Sequence, residues 1–293
     1  MRLHRKQTAV IRDLGGHKVK LTNTTVKVIS LSILLGCITV GFQNCSPEKF
    51  TAIQPTDDSS NNPNNSASCT QTLITTSENL RIIFMVDNSD STAGKNGTDP
   101  NKVYRVQVLN NFLSMYGTKT NFNYSFGWFA PLAYNWDVSQ SAFEANPKQA
   151  VGTATDLSNA LNAFEPLSSQ NGTAYKAAFA GIQNVIDGSS MPNDGWNYAV
   201  VFMSDGMPTD LGSASGQAAA IQQLVANLQT DVTNHGALVS VSSVYFGPES
   251  DGTSINNLKT MAITGGGQFV DTNLVQTLNI SDVITIPGNT CAN

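Results

Sequence analysis

From Thr70 onward, apolar runs of strand length alternate with stretches in which apolar residues recur at helical spacing. Leu80 to Val86 (LRIIFMV) predicts a strand. Lys102 to Tyr116 follows, with Val103, Val106, Val108, Leu109, Phe112, Leu113 and Tyr116 near helical spacing, and predicts a helix. Asn123 to Ala130 (NYSFGWFA) reads as an aromatic strand, and Leu157 to Phe164 and Ala174 to Ile186 as helices separated by the polar stretch Ser168 to Thr173. The alternation continues with a strand at Tyr198 to Met203, a helix at Ala214 to Val232 with Ile221, Leu224, Val225 and Leu228 on one face, and a strand at Ala237 to Phe246. A helix at Ser254 to Ala262, a short strand at Gln268 to Asp271 and a last helix at Asn273 to Ile280 complete the pattern. Strands alternating with helices and joined by Gly-, Ser- and Asp-rich turns predict an α/β fold: a doubly wound, mostly parallel central sheet flanked by helices on both faces.

The pattern upstream differs. Residues 53 to 68 (IQPTDDSSNNPNNSAS) hold almost no apolar side chains, so they cannot offset the entropy of ordering and read as a polar tether. Val28 to Phe42 is apolar and uncharged over fifteen residues, short for a membrane-spanning helix and suited to the apolar region of an export signal behind a basic head. An uncleaved N-terminal anchor is the alternative. The expected organisation is an export segment at 1–45, a tether at 46–69 and one domain at 70–293.

Charge sharpens the division. The 293 residues carry a formal charge of −5, yet residues 1–45 hold seven of the 16 Lys and Arg and one acid, Asp13. The rest therefore has nine bases against 20 acids, a balance of −11. A body that acidic repels phosphate backbones, which argues against nucleic acid as a partner.

Four cysteines remain to be placed. Cys45 stands where the apolar run ends and is the favoured lipid acceptor of a bacterial lipoprotein-like signal; Cys37, after Leu34-Leu35-Gly36, is the alternative. Cys69 and Cys291 bracket the domain and, in an exported chain, are candidates for a disulfide. The expected location is the bacterial cell envelope, as a lipid-anchored protein facing the periplasm or the cell surface.

Ligands of an open parallel sheet bind beyond the carboxyl ends of its strands. Two predicted strands end in acids there: Asp87-Asn88-Ser89-Asp90-Ser91 follows the first, and Ser204-Asp205-Gly206 follows the strand at Tyr198 to Met203. Carboxylates mixed with hydroxyls suit a hard cation, Mg²⁺ first and Ca²⁺ or Mn²⁺ as alternatives, and do not suit zinc or copper. Asp90 and Asp210 read as solvated loop acids.

Asp87-x-Ser89-x-Ser91, with Gly172-Thr173 opening a later helix and Asp205 in SDGMPTD, resembles the metal-ion-dependent adhesion site of von Willebrand factor A (VWA) domains. The resemblance covers about residues 78 to 285 and includes Leu258 to Gly266, similar to the family's late helix and glycine turn. It implies metal ligation by Asp87, Ser89, Ser91, Thr173 and Asp205. It also implies a protein partner whose Asp or Glu carboxylate completes the coordination. The segment from Asp87 to Thr173 is longer than in compact members, making residues 131 to 155 a candidate insertion near the site.

Nothing in the sequence points to catalysis. Of three histidines, His4 and His17 fall in the export segment, and His235 in Asn234-His235-Gly236 reads as a helix C-terminal cap. Gly265-Gly266-Gly267 lacks the spacing of a phosphate cradle and reads as a turn. Trp128, Tyr134 and Trp136 are candidates for an exposed aromatic surface, with core packing as the commoner fate. The expected function is an envelope-anchored, metal-dependent adhesion-type module; a periplasmic scaffold whose ion only stabilises the fold is the alternative.

Overall fold

The computed structural model describes residue 73 and residues 75–188 and 195–288, together with the backbone of a separate antiparallel strand pair, β1 (Val10–Arg12) and β2 (Lys18–Lys20). Cys37, Cys45, Cys69 and Cys291, and with them the lipidation and disulfide expectations, lie outside the described residues, as do the apolar run and the tether. Among the described residues no helix is long and apolar enough to cross a membrane.

The domain is built on seven strands: β3 (Asn79–Asp87), β4 (Phe122–Phe129), β5 (Ala133–Asp137), β6 (Ala142–Glu144), β7 (Trp196–Ser204), β8 (Val239–Tyr245) and β9 (Gly266–Asp271). Their order is β6-β5-β4-β3-β7-β8-β9. The five strands from β4 to β9 across the centre are parallel, whereas β5 and β6 add antiparallel strands at one edge. The connections are α1 (Asp90–Ala93), α2 (Val103–Tyr116), α3 (Ala154–Phe164), α4 (Tyr175–Gly188), α5 (Ala214–Asn234), α6 (Gly252–Thr264) and α7 (Ile280–Val283).

Both faces of the sheet are covered, and β3 shows why its sequence lacks polar alternation. Leu80, Ile82, Phe84 and Val86 join one core with Phe112 of α2, Leu161 of α3 and Val283 of α7. Ile83 and Met85 point the other way, into a core with Ile182 of α4, Val225 of α5 and Met261 of α6. A central parallel strand buried on two sides is apolar along most of its length; Arg81 is the exception, and its buried guanidinium donates to the Tyr198 hydroxyl at 3.1 Å.

Two expectations need correction. The last helix is not at Asn273 to Ile280: residues 273–279 form turns and bends, and the single helical turn α7 begins at Ile280. Asp271 explains the turn, because its Oδ1 accepts from both the backbone amide and the side-chain amide of Asn273, a local alternative to helical bonding. Residues 131–155, expected as an insertion near the site, mostly widen the sheet as β5 and β6. The three aromatics around this loop take the commoner fate of core packing: Trp128 and Trp136 are buried, and Trp128 stacks on Tyr134 at 4.7 Å between centroids.

The parallel sheet changes direction at β3, whose two neighbours β4 and β7 are both reached by crossovers. The helices return the chain on opposite faces, so the loops leaving β3 and β7 splay apart and open a crevice at the carboxyl ends of those two strands. That is where the two acid-bearing loops lie.

Candidate metal centre

Asp87 ends β3, wholly buried, and its carboxylate is fixed by two donors: the Ser89 amide at 2.8 Å and the Ser204 hydroxyl, from the end of β7, at 2.6 Å. Asp205 follows Ser204. Its Oδ1 accepts from the Ser91 hydroxyl at 3.1 Å and its Oδ2 from the Thr98 hydroxyl at 2.7 Å. Ser89 and Ser91 alternate along the loop and bring their hydroxyls to 2.9 Å of each other. Ser89, Ser91 and Asp205 thus form one hydrogen-bonded chain of oxygens, and Ser204 and Ser89 tie Asp87 to it.

Thr173 comes from a third loop. A Cβ placed on Gly206 would stand 3.4 Å from the Thr173 hydroxyl and 3.7 Å from that of Ser91, so both hydroxyls face Gly206 from the same crevice. Gly172 precedes Thr173 with φ +101°, a conformation that a residue with a Cβ rarely adopts. The loop is sewn to its neighbours: Ser89 pairs with Gln170, the Thr173 amide donates to Thr209 Oγ1 at 3.1 Å, and the Ala174 amide donates to the Ala130 carbonyl. The five predicted residues therefore converge, and the site is graded in depth. Asp87 is fully buried and Ser91 is exposed.

Thr173 does not serve as the cap of α4. Asp210 does that, accepting from the amides of Tyr175 at 2.9 Å and Lys176 at 2.8 Å, so it is a capping acid rather than the solvated one expected. Asp90 is exposed, as expected, and accepts from Ser169 Oγ. His235 stands at the C-terminal cap of α5, also as expected.

The electrostatics of the two carboxylates are unfavourable on their own. Burial, and then the charge of Asp205, pushes the Asp87 carboxyl up to about 6, against the opposing bonds from Ser204 and Ser89. Burial also raises Asp205, while Thr98, Ser91 and the Arg105 charge hold it down. Two desolvated like charges are costly unless a cation joins them. The donor set suits one: carboxylate and hydroxyl oxygens only, which fits a hard divalent ion.

Three residues of this centre are absent from the sequence reading. Thr98 lies in a loop without periodicity. Arg105 is fully buried on α2, donates to the Asp87 carbonyl through Nη1 and pairs through Nε with Asp99 Oδ2 at 2.8 Å. Asp99 also accepts from the amides of Tyr104 and Arg105, fixing the start of α2 beneath the loop. Asn101 and Lys102, between them, hold left-handed backbone angles, φ +60° and +61°. Lys102 Nζ donates to the carbonyls of Glu165 and Leu167 at the end of α3, which anchors that strained corner.

No family model and no curated protein matches the chain. Solved structures do. The chain is similar to von Willebrand factor A domains. The vWF domain of the type V pili tip protein Mfa5 from Porphyromonas gingivalis is 11% identical with a TM-score of 0.45, over 70% of this chain and 92% of that one. The conserved hypothetical protein BatB from Bacteroides thetaiotaomicron is 16% identical with a TM-score of 0.41, over 69% of this chain and 93% of that one. Proximal thread matrix protein 1 from the mussel byssus, solved with a zinc-occupied MIDAS motif, is 13% identical with a TM-score of 0.41, over 66% of this chain. The chain spans 41% of that mussel protein's length.

Proposed function

We propose that this chain is a VWA-type binding module that holds a divalent cation, Mg²⁺ foremost, through Asp87, Ser89, Ser91, Thr173 and Asp205. The ion then captures a protein partner by accepting that partner's Asp or Glu carboxylate. The observation that carries this reading is the pairing of two buried, mutually repelling carboxylates with hydroxyls from neighbouring loops at one crevice. Asp87 anchors the inner side. Ser91 leaves the outer side open to solvent, where an incoming oxygen has access. Hydroxyls filling most positions leave the ion acceptor capacity for an external carboxylate.

Display at the envelope accords with the basic head, the apolar run and Cys45 or Cys37 as lipid acceptor, with residues 46–69 supplying reach. The reading is one of binding and not of catalysis: no histidine, lysine or cysteine reaches the oxygens of the centre among the described bonds, and His235 stands at the far end of α5.

The complete burial of Asp87 favours one second reading, a scaffold whose ion only stabilises the fold. One experiment separates the two: capture of envelope proteins by the full chain with Mg²⁺, with EDTA, and by Ser91→Ala with Mg²⁺. Capture that needs Mg²⁺ and is weakened in Ser91→Ala supports the adhesion reading. Capture that persists in EDTA by a protein still folded supports the scaffold.

A further inference from the structure

The opposite end of the domain carries a second cluster of metal-ligating side chains that the centre above does not use. Asp187 lies in the last turn of α4, Asp231 in the last turn of α5, and His235 caps α5 one turn further on. One ligand atom from each lies within 4.8 Å of the other two, with His235 Nδ1 3.6 Å from Asp231 Oδ2. The three side chains line a cleft of about 390 Å³ together with Ile186 and Val232.

The charges here run against the usual preference. The C-terminus of a helix carries partial negative charge and attracts cations, yet neither α4 nor α5 has a basic residue in its last turn. Each instead places an aspartate there, and the two helix ends meet. Between the carboxylates stands one neutral donor: Gln183 Nε2 bonds Asp187 Oδ1 at 2.9 Å and also bonds Asp231 Oδ2. An amide orients the two acids without neutralising them. A divalent cation would.

We infer that Asp187, Asp231 and His235 form a second divalent-metal site, of the zinc class, distinct in chemistry and position from the oxygen-only centre. One imidazole nitrogen with two carboxylates is a donor set that zinc accepts, and magnesium disfavours the nitrogen. Tetrahedral ligands at about 2.0–2.1 Å from zinc stand about 3.3 Å apart, so the exposed side chains close by about 1.5 Å at most. Three protein ligands leave a fourth position for water or for a group offered by another molecule. Gln183 holds the carboxylates from behind.

Zinc titration of the full chain in excess Mg²⁺, followed by calorimetry, tests this. Wild type takes up one equivalent of Zn²⁺ that His235→Ala and Asp231→Asn lose and that Asp205→Asn retains. Gln183→Leu weakens it by about 10- to 100-fold, as loss of an orienting partner does. Replacing zinc with Co²⁺ gives visible absorption bands that vanish in His235→Ala. Equal zinc uptake by wild type and His235→Ala, or no uptake by either, overturns the site, as does zinc binding lost in Asp205→Asn. Gln183, Asp231 and His235 are half-buried, so circular dichroism of their variants matches wild type, and the Asp205→Asn control is read only where its circular dichroism also matches wild type.

Discussion

Ser91 Oγ stands 3.1 Å from Asp205 Oδ1, across 114 residues of sequence, and this bond joins the loop leaving β3 to the loop leaving β7. It makes one centre of two strand ends. Ser91→Ala removes an oxygen at the exposed side and leaves the buried carboxylates in place. Mg²⁺ binding then weakens about tenfold or more, roughly 1.4 kcal/mol, while apo stability changes little. Calorimetric titration of the two proteins is the check, and unchanged affinity would remove Ser91 from the ligand set.

Asp87 predicts an inverted pH dependence for the metal-free protein. Burial pushes its folded pKa up to about 6 from the ordinary carboxylate value of 3.8, so between those values the folded state holds a proton that the unfolded chain has released. Its contribution is present at low pH and is lost as pH rises through about 6, on the order of 2–3 kcal/mol. In EDTA, the stability of Asp87→Asn minus that of wild type therefore grows from pH 4 to 7. Urea denaturation at several pH values measures it, and a flat difference would contradict the assignment. Added Mg²⁺ stabilises wild type at pH 7.5 and much less at pH 5.

Thr98 tests whether residues outside the motif tune the centre. Thr98→Val deletes the donor to Asp205 Oδ2 and leaves the backbone of its loop intact. Mg²⁺ affinity falls about 10- to 100-fold, as expected for a partner that orients a ligating carboxylate. Competition with a fluorescent chelator reads this directly.

The ion pair beneath the site is structural. Arg105 is wholly buried and Asp99 nearly so, so Asp99→Asn leaves a buried guanidinium without its charge partner. The expected loss is about 3–5 kcal/mol of stability, measured by denaturant melts. Arg105→Met, which removes the charge with its burial cost, loses less. The reverse order would show that the arginine matters chiefly through Asp87 and Phe246, over which its guanidinium lies at 4.9 Å.

Both strand-end acids were legible in the sequence because a buried parallel strand announces itself by a nearly continuous apolar run, and Asp87 follows one such run directly while Asp205 follows another after Ser204. Thr173 was legible only through the family resemblance, since Gly172-Thr173 reads equally well as a helix start. Arg105 was not legible: its position inside an amphipathic helix looks solvated, and only its pairing with Asp99 and the Asp87 carbonyl makes burial tolerable. Strands β5 and β6 were missed because Ala133 to Glu144 mixes aromatics with polar residues, and an antiparallel edge obeys no crossover pattern. The final helix was displaced because Asp271 and Asn273 form a turn by side-chain bonds that periodicity does not register.

Anomalous diffraction from crystals soaked in Mn²⁺ tests the central claim most directly. One peak is predicted between the β3 and β7 loops, within about 2.6 Å of hydroxyl oxygens of Ser89, Ser91 and Thr173, with Asp87 and Asp205 bound to it or to its waters. Crystals that diffract well and show no manganese in that crevice, or that place it away from all five side chains, would contradict the account.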